Sequence, residues 1–287
     1  MIIVTGATGL LGSQIADRLL ARVPADRVGV SVRDVDRAAA LAARGVRVRR
    51  GDFSDPDSLA ESFEGATQVL VVSTNETGPA ALAQHVTAID AARAAGAGRV
   101  LYSSHQGAAS DSLFAPMSDH AATEQHLAGT GLPFTALRNG FYASTVPHLL
   151  GQALTTGELV APADGPVSWT AHADLAEAAA VVLAEDGLFD GPTPPLSAPD
   201  AHDLDDVAVM LTELTGRTIR RVVVADEEWA ASLVRHGVPE DRATLLLGMF
   251  RASRRGEFAT TGDQVEKLLP RPATPLRSVL AAALGEA

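Results

Sequence analysis

The chain opens on an apolar, β-branched run, Ile2-Ile3-Val4, followed by glycines and then by apolar residues at helical spacing, Leu11, Ile15, Leu19 and Val23. A run apolar on both faces suits a strand buried inside a parallel sheet, and a 3.6-residue period suits a helix laid against it. The alternation repeats. Further strands are expected at 28–32, 46–48, 69–72, 100–102 and 134–137. Between them, Asp36 is expected to cap a helix ending before Gly45, and Ser54-Asp55-Pro56 to start one that stops at Gly65. Pro79 opens a long Ala-rich helix closing at Gly96, and Ser118 is expected to cap a helix through Leu127.

Strands and helices in this order predict an α/β fold: a Rossmann-type doubly wound parallel sheet with right-handed crossovers and strand order 3-2-1-4-5-6. Its ligand belongs at the carboxyl ends of the strands. After Arg138 the rhythm breaks. Residues 141–157 read as helical, and Asp174 is expected to cap a helix through Leu183 that returns to the sheet. The prolines 192, 194, 195 and 199 mark a boundary, followed by helices near 204–215, 227–236, 240–254 and 275–284 and a strand near 218–224. The division expected is a nucleotide-binding domain at 1–190 and a smaller, mostly helical substrate-binding region at 191–287, with 146–166 contributing to the substrate cleft. No internal repeat of fixed period is visible.

Composition narrows the class. The 287 residues are 46% hydrophobic and 20% charged, ordinary for a globular chain, but only 4% aromatic, so the core must be largely Ala, Val and Leu. A net charge of −12 argues against nucleic-acid binding, which needs a basic surface to displace counterions. The absence of cysteine excludes disulfides and thiolate chemistry. No uncharged apolar run reaches membrane-spanning length, so no membrane partner is expected. Met1 leads straight into a strand, so no signal peptide is expected and the expected location is cytoplasmic. The remaining expectation on partners is a small-molecule acceptor and a monomer or homodimer. The histidines show no metal-ligand spacing, so no metal site is expected. No G-x-S-x-G elbow is present either, which argues against a serine hydrolase.

The first strand feeds Thr5-Gly6-Ala7-Thr8-Gly9-Leu10-Leu11-Gly12, a T-G-x-x-G-x-x-G loop opening a helix. Gly6 permits the tight turn, Gly9 lets backbone approach a pyrophosphate, and Gly12 lets the helix pack close to the sheet. The helix N-terminus, with free N–H groups and the positive end of its dipole, favours the anion. At the end of the second strand stands Ser31-Val32-Arg33-Asp34. Arg33 offers a planar fork for the 2′-phosphate of NADPH, and Asp34 either meets a ribose or caps the turn. After the third strand, Asp52 and Phe53 are candidates for the adenine edge and flank, with a plain turn acid as the alternative for Asp52.

These residues resemble an atypical short-chain dehydrogenase/reductase of the NmrA-like group, and within it the bacterial type-2 NAD(P)H:quinone oxidoreductases. The resemblance runs over nearly the whole chain. It rests on the glycine loop, Val32-Arg33, Ala94-Ala95-Gly96, Asp119-His120 with Thr123-Glu124, and above all Leu137-Arg138-Asn139-Gly140-Phe141-Tyr142. It implies that Ser73, Thr74 and Asn75 skirt the nicotinamide ribose and that Ser103 is a cofactor contact. It further implies that Ser104 is the serine near the nicotinamide, and that Asn139, Gly140 and Phe141 line the nicotinamide and substrate side.

One departure decides the chemistry. Ordinary short-chain dehydrogenases carry a Tyr-x-x-x-Lys pair; here the lysine position falls on His120 and the tyrosine position on Pro116. Of the two tyrosines, Tyr102 lies in a strand and is expected in packing, while Tyr142 either faces the cleft or packs. His120 is either a general acid, a cofactor contact or a backbone-bonded helix-start histidine. Reducing an ordinary ketone makes a strongly basic alkoxide that needs a placed acid. Reducing a quinone makes a phenolate-like product whose conjugate acid has a pKa of about 10, like tyrosine. The expectation is an NADPH-dependent oxidoreductase acting on quinones or similar conjugated carbonyls, with Ser104, His120 and Tyr142 as candidate catalytic groups. The alternative is a non-enzymatic dinucleotide sensor of a protein partner.

Overall fold

In the computed structural model, which describes residues 1–285, the repeating part is β1 (Ile2–Thr5), α1 (Leu10–Leu20), β2 (Val28–Val32), α2 (Ala39–Ala42), β3 (Arg47–Arg50), α3 (Pro56–Phe63), β4 (Gln68–Val71), α4 (Pro79–Ala94), β5 (Arg99–His105), α5 (Ala115–Gly129) and β6 (Phe134–Asn139). There follow α6 (Val146–Leu149), α7 (Ala153–Thr156), β7 (Glu158–Pro162), α8 (His172–Ala184), β8 (Gly191–Pro192), α9 (Leu204–Thr215), β9 (Arg220–Val224), α10 (Asp226–Arg235), α11 (Glu240–Arg254), α12 (Gln264–Leu268) and α13 (Leu276–Leu284). The main sheet runs β3-β2-β1-β4-β5-β6-β8 with every pairing parallel. This is the expected doubly wound order, extended by a two-residue strand inside the Pro-rich stretch. The order reverses between β1 and β4, which opens a crevice above their carboxyl ends.

Both faces of the sheet are covered. On one, Ile15, Ala16 and Leu19 of α1 pack with Leu175, Ala176 and Ala179 of α8 over Val4, Val30 and Leu101. Small side chains let these two helices approach closely, and Glu177 of α8 bonds both Arg18 (3.3 Å) and Arg22 of α1. On the other face, Leu59 and Phe63 of α3, Ala88 and Ile89 of α4 and Leu127 of α5 cover Ile3, Val69 and Tyr102. A separate core lies past the end of β6. It collects Phe141, Val146, Leu159 and Trp169 with Leu204, Leu211, Phe250, Phe258 and Leu280.

Four local expectations give way to the structure. Residues 141–157 do not form one helix: the chain makes a 3-10 turn at Ala143–Thr145, then α6 and α7, interrupted at Gly151, whose φ is 53°. β7 was not visible because it is five residues long and pairs with β9 some sixty residues away, so no local period announces it. Ser118 lies inside α5, which starts after Phe114 with Pro116 in its first turn. Neither Asp36 nor Asp174 caps a helix. Asp36 sits in a 3-10 turn, and its N–H donates to Asp34 Oδ1 (3.1 Å). Asp174 lies in the first turn of α8, where its carboxylate instead accepts from Arg271 Nη2 (2.7 Å) and the Thr274 backbone N–H (2.6 Å). Among the described residues no helix is long and apolar enough to cross a membrane.

Candidate active site at the carboxyl ends of the strands

The glycine loop sits at the carboxyl end of β1, beside the reversal in strand order. Gly6 adopts φ +61°, which L side chains rarely reach, and its N–H donates to Ser31 O (3.2 Å). Its carbonyl accepts from Gly9 N (2.9 Å), folding the loop back on itself. A Cβ on Gly12 would stand 2.7 Å from Gly6 C and closer still to its oxygen. Gly12 is therefore required by the approach of α1 to its own loop, rather than to the sheet. Gly9 is the N-cap of α1 in an extended conformation open to any residue (φ −90°, ψ 173°). The first helical bond is Ser13 N to Gly9 O (3.0 Å), so the N–H groups of Leu10, Leu11 and Gly12 have no carbonyl behind them. No acidic side chain occupies the first turn of α1. Four features thus fit an anion held on backbone: the left-handed glycine, the bare Gly9, three free donors and an unopposed dipole.

At the end of β2, Arg33 is exposed and, among the described residues, engaged in no ion pair. Asp34 is occupied by the turn. Asp52 also holds a turn, its Oδ1 accepting from Ser54 N–H (2.9 Å), while Phe53 lies half-buried against the sheet. The loop after β4 is tied down from inside. Ser73 N–H donates to Ser103 Oγ (2.8 Å), Thr74 N–H to His85 Nε2 (3.0 Å) and Val72 N–H to Thr5 Oγ1 (2.9 Å). Ser103 thereby positions Ser73, and Asn75 at the loop tip is exposed.

Ser104 points elsewhere. Its buried hydroxyl donates to Glu124 Oε1 (2.6 Å), and the same carboxylate receives Arg138 Nε (3.0 Å) and Nη2 (2.6 Å). This bidentate pair locks α5 to β6, so Glu124 and Arg138 of the sequence motif carry structure at this point. Gly140 also has a packing reason: a Cβ there would clash with Thr170 Oγ1 and sit 3.0 Å from Ser197 Cα. Phe141 is buried in an aromatic cluster with Phe258 (4.9 Å between centroids), Trp169 (5.3 Å) and Phe114 (6.0 Å). Asn139 is buried with its Oδ1 unpartnered. Tyr142 is half-buried, its ring 4.3 Å from that of His172.

Behind this wall lies a group of histidines that sequence reasoning did not assemble. Tyr102, fully buried, brings its hydroxyl 2.7 Å from His120 Nδ1 and 3.3 Å from His85 Nδ1. His85 Nδ1 also stands 3.0 Å from Thr123 Oγ1, whose own hydroxyl donates to Asp119 O (2.8 Å). His105, at the end of β5, stacks on His120 at 6.2 Å and 25°, and its Nδ1 accepts from Gly107 N–H (3.0 Å). Burial pushes His85 down to about 4 and His105 to about 3. His120 is held well below its ordinary value by burial and by its two histidine neighbours, and burial raises the Tyr102 phenol. Burial thus favours the neutral form of all three imidazoles. The signal available in sequence was the spacing itself: His85, Tyr102 and His120 lie on consecutive elements that the topology makes adjacent. Lys267 is the chain's single lysine, and it lies in α12, paired with Asp263 (2.8 Å). Among the described residues no group of three His, Asp or Glu is arranged to hold a metal ion.

The chain belongs to the NmrA-like family, which matches residues 1–278. It is 33% identical over 277 residues to quinone oxidoreductase 2 of Escherichia coli, covering 96% of each chain. The crystal structure of that NADPH-dependent enzyme complexed with NADPH superposes with a TM-score of 0.93 at 32% identity, covering 99% of this chain and all (100%) of the other. Triphenylmethane reductase of Citrobacter sp., complexed with NADP(H), gives 0.90 at 34% identity, with 99% and 100% covered. An NAD(P)H azoreductase of Xenophilus azovorans is 29% identical over 276 residues, 95% of this chain and 94% of its own.

Proposed function

We propose that this member of the NmrA-like family is an NADPH-dependent oxidoreductase that reduces a quinone or a similar conjugated carbonyl acceptor. Likeness to relatives named for NADPH, quinones, azo compounds and triphenylmethane dyes supports the reductase reading. The observation that carries the acceptor class is the lack of a Tyr-Lys acid. The one lysine is elsewhere, and Tyr102 is fully buried. Such a site suits acceptors whose reduced form is a weak base.

In this reading the backbone of Gly6, Ala7, Thr8 and Gly9 and the free N–H groups of Leu10, Leu11 and Gly12 hold the pyrophosphate. Arg33 meets the 2′-phosphate, and Asp52 and Phe53 border the adenine. Ser73, Thr74 and Asn75, held by Ser103, border the nicotinamide ribose, while Asn139, Gly140 and Phe141 lie on the substrate side. Arg33 is free to do so because Asp34 is spent on the turn. When bound, reduced nicotinamide supplies a hydride, and solvent supplies the proton that completes the hydroquinone. The chain's own contribution is orientation, a dry aromatic wall and neutral hydrogen-bond donors. Ser104, bonded to Glu124, takes no part, and Tyr142 orients the acceptor without serving as an obligatory acid. The cleft lies between the nucleotide-binding region, 1–190, and the C-terminal region, 191–287, with 146–166 contributing.

The test is NADPH oxidation followed by absorbance, with and without a panel of benzoquinones and a simple aliphatic ketone. Turnover with quinones and not with the ketone is expected. Tight NADPH binding without turnover on any acceptor would favour a dinucleotide sensor.

A further inference from the structure

Donor and acceptor roles around Tyr102 follow from one backbone amide. Thr74 N–H can only donate, so His85 Nε2 must accept, and the neutral His85 ring carries its hydrogen on Nδ1. That hydrogen faces Thr123 Oγ1 at 3.0 Å and Tyr102 Oη at 3.3 Å. Thr123 has already given its proton to Asp119 O and is free to accept. The Tyr102 hydroxyl therefore has no acceptor at His85. Among the described residues its one other hydrogen-bond partner is His120 Nδ1 at 2.7 Å, so this buried hydroxyl is satisfied only by donating there. The hydrogen of His120 is thereby forced onto Nε2. Among the described residues that atom meets no partner in the chain, and on this half-buried side chain it is not one of the buried unpartnered nitrogens, so it is accessible from outside. His105, stacked beside it, is fixed in the same tautomer by Gly107 N–H.

We propose that Tyr102 is a positioning residue which, through its 2.7 Å bond to His120 Nδ1, holds His120 as a neutral Nε2–H donor aimed at the acceptor oxygen. This rests on the reductase reading. His120 stabilises the oxyanion that develops as the hydride arrives, and it does so as a hydrogen-bond donor, keeping its proton. The relay cannot replace a proton once given, because it ends at the Thr74 amide. The acceptor gains two electrons and one hydrogen as hydride, and water delivers the single proton that completes the reduced product. The depressed basicity of all three histidines agrees with a donor that stays neutral across the physiological range.

The experiment combines histidine ring nitrogen NMR on the full chain saturated with NADP⁺ and steady-state kinetics with a benzoquinone. His120 is assigned by the signal lost in His120→Gln. The wild type should show His120 protonated on Nε2 alone. Tyr102→Phe should give a mixture of tautomers and a kcat lowered about tenfold, the effect of one lost donor geometry. NADPH affinity should stay within about twofold and the KM for quinone should change less than kcat. His120→Gln, whose amide nitrogen reaches the Nε2 position, should retain most of the rate, whereas His120→Leu should fall at least as far as Tyr102→Phe. His120 protonated on Nδ1 in the wild type, or a folded Tyr102→Phe with unchanged kcat, overturns the proposal. If Tyr102→Phe does not fold, equal rates for His120→Gln and His120→Leu overturn it instead. A wild type that binds NADPH and reduces no quinone overturns the acceptor class and the catalytic half of the proposal; the spectrum then decides the tautomer half alone.

Discussion

Acid should destabilise this fold well above the pH at which its carboxylates protonate. His85 and His105 are 2% and 8% exposed and are held by burial to about 4 and about 3, against about 6.5 in an unfolded chain. Between those values the unfolded chain binds a proton at each site and the folded chain does not, so stability rises with pH and is lost as pH falls. From about pH 7.5 to about pH 5 each site costs about 2 kcal/mol, and the pair about 4 kcal/mol. That is a large part of the roughly 5–15 kcal/mol expected for a whole domain. The salt-bridged Asp55 and Asp226 are held below the ordinary carboxylate range, chiefly by Arg50 and Arg254. Their contribution is therefore lost only below about pH 4, outside the window. The net charge of −12 shrinks as acid is added, which relieves repulsion and works slightly the other way. Urea unfolding at a series of pH values measures the slope. His105→Asn, which keeps an acceptor for Gly107 N–H, should flatten it by that site's share of about 2 kcal/mol, the rest of the slope remaining with the other histidines that burial holds down. Constant stability from pH 7.5 to 5 in the wild type would refute the assignment of these rings as buried and neutral.

Other outcomes follow from the same geometry. Gly9→Val has an accessible backbone conformation, with its Cβ 3.3 Å from Gly6 O, so the fold should survive while NADPH affinity by calorimetry collapses; retained affinity would refute the anion cradle. Gly12→Ala should instead lower stability, by roughly 1–3 kcal/mol in denaturant titration, because backbone must move to admit the Cβ. Arg33→Ala should weaken NADPH about tenfold, with NADH nearly unchanged, and salt should erode the preference because the side chain is exposed. Equal losses for both cofactors would show that Arg33 does not read the phosphate. Tyr142→Phe should keep measurable quinone reduction, and a loss of several hundredfold with intact NADPH binding would reveal a dedicated acid.

The sheet and the conformation of the glycine loop were legible in sequence because their determinants are local. Ile2-Ile3-Val4 is apolar on both faces, Gly6 demands a positive φ, and the apolar positions from Leu11 to Leu19 follow one helix face. Even there, the partner that excludes a Cβ at Gly12 is the carbonyl of Gly6, which only the folded loop reveals. The pairing of β7 with β9, the binding of Ser104 by Glu124 and the diversion of Asp174 to Arg271 are contacts between residues twenty to about a hundred positions apart. No period or motif encodes such distances. The histidines show the difference most clearly. By sequence, His120 stood out as a candidate catalytic group, but nothing joined it to His85, Tyr102 and His105 on the neighbouring helix and strand. Packing buries His85, Tyr102 and His105 and half-buries His120, which lowers the basicity of the rings, and a single amide at Thr74 then orients the hydrogen bonds that follow. Charge state and tautomer depend on burial and on partners, and both exist only once the tertiary structure has formed.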